Sequence, residues 1–114
     1  MAFSKVERSA IERLMSAYCE RHVPPKARDH LRILFRIKGR SVTLVESRPL
    51  FTKPSEWVET LVAQCRWDDD TGEWALFCAD RNSKWHRYDY LRPEKRLRSL
   101  LSEIDRDPTG IFWG

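Results

Sequence analysis

The sequence predicts an α+β fold: an antiparallel sheet of about five strands, a two-strand hairpin plus a three-strand meander, with an N-terminal and a C-terminal helix packed on one face. Three observations predict it. Apolar residues recur at helical spacing only near the two ends of the chain. They alternate with polar residues through the middle, and the stretch WDDDTGEW marks a hairpin between two of the alternating runs.

Residues 4 to 21, SKVERSAIERLMSAYCER, place Val6, Ala10, Leu14, Ala17 and Tyr18, with Ile11 beside them, on one expected helix face. Ser4 and Glu7 have capping-box spacing, and Val23-Pro24-Pro25 ends the helix because neither proline can donate a hydrogen bond. From Leu31 the period becomes two. Leu31, Ile33, Phe35 and Ile37 alternate with Arg32, Leu34, Arg36 and Lys38, Gly39-Arg40 turns the chain, and Val42 to Ser47 return. In the linker from Arg48 to Glu56, Leu50 and Phe51 are expected to close over a core edge.

Residues 59 to 67 and 73 to 79 form the best-defined hairpin. With Asp68 facing Glu73 and Gly72 left-handed, Trp67 stands opposite Trp74, and Leu61, Ala63 and Cys65 share a face with Leu76 and Cys78. A second turn, Arg81-Asn82-Ser83-Lys84, leads to a strand over Trp85 to Leu91. Pro93 suits the first turn of a helix on which Leu97, Leu100, Leu101 and Ile104 follow at i, i+3, i+4 and i+7. Asp107-Pro108-Thr109-Gly110 stops that helix and leaves the apolar tail Ile111-Phe112-Trp113-Gly114.

A chain of 114 residues supports one core, so residues 1–114 are expected to be a single domain. Apolar and aromatic residues make up 41% of it, too many for a disordered chain. No apolar run approaches the roughly 18–20 residues of a membrane span, and the start MAFSKVERSAIERL is charged where a signal peptide would be apolar, so a cytoplasmic protein without membrane contact is expected. Cys19, Cys65 and Cys78 sit where small buried hydrophobes fit, and their odd number argues against a disulfide scaffold.

Charge is unevenly distributed. The net value is only +4, yet residues 81 to 98 hold seven basic and two acidic side chains, and residues 28 to 40 hold five basic and one acidic. If both segments share a face they make a patch for a polyanion. In DRNSKWHRYDY, spanning Asp80 to Tyr90, the alternation sends Trp85 and Arg87 to one face of a strand and His86, Tyr88 and Tyr90 to the other; a turn that continues the side of Leu76 and Cys78 puts the tyrosines toward the core, and a shift of one residue reverses the two faces. An outward indole and guanidinium suit stacking on bases and holding phosphates.

Other chemistries carry less. Asp80, His86 and Asp89 or Asp107 would serve acid/base catalysis if they converged, but Asp80 and Asn82 also suit plain turn-capping, and His86 and Asp89 project oppositely in a strand. Cys65, Cys78 and His86 lack the close ligand pairs of a zinc site, the acidic turn Asp68-Asp69-Asp70 lacks calcium-loop spacing, and His22 and His30 read as surface or capping residues. The four glycines form no phosphate loop. No cofactor or metal is expected.

The stretches VPPKARDHLRI, WVETLVAQCRWDDDTGEWALF, DRNSKWHRYDYL and EIDRDPTGIFWG together resemble a family of small bacterial proteins known only as domain of unknown function 3024. The resemblance runs from about Ile11 to Gly114. It implies a cytoplasmic, free-standing domain and supplies no activity and no catalytic residues. Cys65 and Cys78 depart from the family pattern, where aromatic residues take their places.

The leading expectation is a non-enzymatic binding module that contacts nucleic acid through Arg32, Arg36, Lys38, Arg81, Lys84, Trp85 and Arg87. Large apolar residues at a chain end need burial, so the tail is expected either to fold back and plug the sheet or helix edge or to insert into a partner; the second gives the alternative, a protein-interaction or homodimerisation module using Ile111, Phe112 and Trp113. A third option is a small hydrolase-like enzyme at Asp80 and His86.

Overall fold

The computed structural model describes residues 2–114. Its elements are α1 (Lys5–His22), a 3-10 turn (Pro25–Ala27), β1 (Arg32–Lys38), β2 (Ser41–Pro49), β3 (Trp57–Asp68), β4 (Glu73–Ala79), β5 (Trp85–Arg87) and α2 (Leu97–Arg106). The strands lie in the order β1-β2-β3-β4-β5, every neighbour antiparallel. This is the α+β architecture expected. Each connection is short enough that consecutive strands pair directly.

Local chemistry sets most boundaries. Ser4 and Glu7 form the reciprocal capping box of α1, and the helix stops at Val23, before the prolines. Gly39 has φ +56° at the β1–β2 turn, and Gly72 has φ +67° where Asp68 faces Glu73 and Trp67 faces Trp74. The Trp67 and Trp74 rings meet edge-on at 5.4 Å.

Register divides the sheet into two faces. Ile37, Val42, Cys65 and Leu76 stand in one row, with Phe35, Leu44, Ala63 and Cys78 in another. These side chains join Ile11, Met15 and Tyr18 of α1 and Leu97, Leu100, Leu101 and Ile104 of α2 in one apolar cluster. Both helices therefore cover the same face, leaving the other without a helical roof.

Six local expectations are corrected. The buried stripe of α1 is Ile11, Met15 and Tyr18, while Val6, Ala10 and Ala17 face water, because the larger side chains gain more from burial. A bulge opposite Leu44–Val45 turns Val62 into the core and pairs Leu61 with Val45 on the other face. Strand β5 ends at Arg87 rather than Leu91, since the chain doubles back to pair Glu94 with Trp74 through two backbone hydrogen bonds. Tyr90 is thereby carried outside, 78% exposed, while Tyr88 is buried. Pro93 lies in that returning loop, and α2 begins only at Leu97. Phe51 is 99% exposed rather than closed over the core, because the β2–β3 hairpin runs on past β1 and β4.

The tail folds onto its own chain. Asp107, left-handed at φ +42°, accepts hydrogen bonds from the Phe112 and Trp113 amides at 3.0 and 2.9 Å. Phe112 is buried against Tyr88, and the Trp113 indole donates to the Ile104 carbonyl at 3.1 Å. Among the described residues, no helix is long and apolar enough to cross a membrane.

Candidate nucleic-acid interface

The face opposite the helices carries the candidate site. Its central row crosses all five strands in register: Arg36, Thr43, Gln64, Phe77 and Arg87. One row over stand Lys38, Ser41, Arg66 and Ala75, and Trp85 pairs with Ala79 at the β5 edge. A third row, Leu34, Val45 and Leu61, is apolar. Period-two alternation puts these residues outward for the same reason that it puts their neighbours inward.

Side chains connect along the rows. Gln64 Nε2 donates to Thr43 Oγ1 at 2.9 Å, and Arg66 Nε donates to Gln64 Oε1 at 2.6 Å. That bond holds the Arg66 guanidinium 3.8 Å from the Phe77 ring centre, and Arg87 approaches the same ring to 6.0 Å. The face thus carries a half-buried aromatic ring between two guanidinium groups, with a second aromatic, Trp85, on the neighbouring strand.

The basic residues picked out by sequence fall into three groups. Arg87 and Trp85 lie on the open face as expected, and Arg81 and Lys84 are exposed on the β4–β5 turn beside them. Arg32, Arg36 and Lys38 lie on the same face at the opposite edge, about 20 Å away at the usual strand spacing. Of those, Arg36 is neutralised by Glu59 through bonds of 2.9 and 2.5 Å, which also hold the Glu59 carboxyl below its ordinary range, and Arg32 stacks on Trp57 at 4.1 Å. Sequence reasoning missed Arg66, Phe77 and Gln64. Their signal was present in the alternation: Phe77 sits between the inward Leu76 and Cys78, and Arg66 follows the inward Cys65.

Asp80 and His86 do come together, Nε2 to Oδ2 at 2.6 Å. Asp80 also accepts from the Asn82 and Lys84 amides at 2.8 and 3.0 Å, so its carboxylate closes the β4–β5 turn. The His86 bond, followed by the Lys84 amide, holds the Asp80 carboxyl below its usual range. The nearest thiol, Cys78, is buried and directed at the His86 carbonyl, with burial raising its pKa. Asp89 is exposed, and Asp107 is committed to the tail amides. Burial pushes the Cys65 thiol up to about 12 and the Cys19 thiol up to about 11, consistent with packing roles. Among the described residues, no three His, Cys, Asp or Glu side chains converge as a metal site requires. Of the three large tail residues, Phe112 is buried, Trp113 is half-buried and Ile111 is exposed.

The family model of a domain of unknown function, DUF3024, matches residues 3–114. The chain belongs to that family. No curated protein and no solved structure matches it.

Proposed function

We propose that the protein is a non-enzymatic binding module that takes single-stranded nucleic acid on the open face of its sheet. The observation that carries this reading is Phe77, held outward between Arg66 at 3.8 Å and Arg87 at 6.0 Å, on the face that neither helix covers. An aromatic ring flanked by guanidinium groups offers a base a stacking surface and its phosphates a counter-charge. Trp85 supplies a second platform, while Lys84 and Arg81 extend the positive charge past the edge of β5. The acidic turn Asp68-Asp69-Asp70 borders one end of this surface and repels phosphates there, which favours a path across the strands toward Trp85 and Arg81.

Fluorescence anisotropy with a labelled single-stranded oligonucleotide tests the reading. Affinity should fall steeply with salt, and Arg87→Ala should reduce the slope of log K against log salt by about 0.7. Phe77→Ala and Trp85→Ala should each cost about 1–3 kcal/mol, the usual worth of a stacked base. The double variant Arg36→Ala/Glu59→Ala should change little, because it removes a pair whose charges already cancel. Absence of binding at low ionic strength, or equal losses in all four variants, would remove the proposal.

A further inference from the structure

Strand β3 has a free edge. From Trp57 to Leu61 it pairs only with β2, because β4 first joins it at Ala63, and among the described residues no other backbone hydrogen bond reaches these five positions. An unpaired strand edge presents a ladder of N–H and C=O groups that another strand can complete, and proteins commonly blunt such edges with charge, proline or shortness. The outer edges of this sheet follow that rule: β1 carries Arg32, Arg36 and Lys38, and β5 is three residues long. The β3 segment WVETL has neither lysine, arginine nor proline, and it is rich in β-branched and aromatic residues. Val58 is 46% exposed on it, and Phe51 stands fully exposed at the nearby hairpin end.

Charge around this edge selects the occupant. Its glutamates are paired within the chain, Glu59 with Arg36, Glu56 with Lys53 and Glu46 with Arg48, and the Asp80 carboxylate is taken up by hydrogen bonds to His86 and to the Asn82 and Lys84 amides. Arg81 and Lys84, on the turn where β4 stops alongside β3, are exposed and have no ion-pair partner among the described residues. The surplus is positive at one end of the edge, and the apolar Phe51 lies toward the other.

We propose that Trp57–Leu61 is a docking edge for an extended peptide that adds as an antiparallel strand in line with β4, with acidic residues at its N-terminal end. The antiparallel sense follows because β3 runs from the hairpin tip toward Leu61, so an antiparallel guest begins beside Arg81 and Lys84 and ends near Phe51. Main-chain hydrogen bonds hold the guest, its apolar residues cover Val58 and Phe51, and its acids set its direction.

The probe is an acetylated peptide of two aspartates followed by alternating threonine and valine, with hydrogen exchange read residue by residue. Binding should slow exchange within residues 57–61. Replacing the aspartates with lysines should weaken affinity about ten-fold, and the Arg81→Ala/Lys84→Ala variant should erase that preference. A copy of the peptide with alternate amides N-methylated should not bind. The proposal is overturned if the acidic peptide fails to bind, if the methylated copy binds equally, or if protection appears on β1 or β5 instead. A doubled mass without peptide, with residues 57–61 protected, would assign the edge to a second copy of the chain and also overturn it.

Discussion

At the residue scale, Asp80 shows how a polar side chain that looks catalytic can serve the backbone. Its carboxylate takes two amide hydrogen bonds and one from His86, and its pKa is lowered, so its contribution is present above the ordinary aspartate value. That contribution should disappear as pH falls through the lowered value. Amide chemical shifts of Asn82 and Lys84 should therefore move together in acid, below the usual aspartate range, and Asp80→Ala should abolish the transition. A transition at or above the ordinary aspartate value would contradict this account. Asp80 and Asn82 were recognisable as turn residues from their types alone. The pairing with His86 depended on the turn geometry, including Ser83 at φ +61°, which residue types did not announce.

Elements were legible wherever local preference and burial agreed. The Trp67–Trp74 register followed from the acidic turn and the two flanking alternations, and the structure places Gly72 as expected, at φ +67°. Nothing lies within 4 Å of the Cβ that a larger residue would add there, so conformational strain is the main cost of substitution. Gly72→Ala should lower stability by about 1–2 kcal/mol in denaturant titration, without altering the hairpin register. Neutral stability would show that the turn relaxes freely. The β5 strand was overestimated because alternation through Tyr90 continues on paper, whereas Glu94 must return to Trp74 and ends the strand early. Leu61 was misassigned for a related reason: a bulge adds one residue and reverses everything before it, and composition carries no mark of where that residue goes.

Across the whole molecule, the two helices, the sheet and the tail close a single apolar cluster, with polar groups tying distant segments at its margin. Tyr18 donates to Asp105 at 2.7 Å, joining α1 to α2, and Tyr88 donates to the buried Glu103 at 2.8 Å, joining the end of β5 to α2. The tail belongs to this arrangement through Phe112. Phe112→Ala should cost about 3–5 kcal/mol, and deleting residues 111–114 should lower the melting temperature rather than change only the oligomeric mass. A truncated protein of unchanged stability would instead return the tail to the role of an external contact. The sequence by itself determined the helices, the hairpins and the inward or outward sense of most strand residues, because spacing, glycine and proline act over a few neighbours. Only the tertiary structure decided which guanidinium groups meet Phe77, which basic residues are neutralised, where β3 loses its neighbour and how the tail is covered. Those depend on contacts between segments far apart in the chain, set by packing that no local pattern encodes.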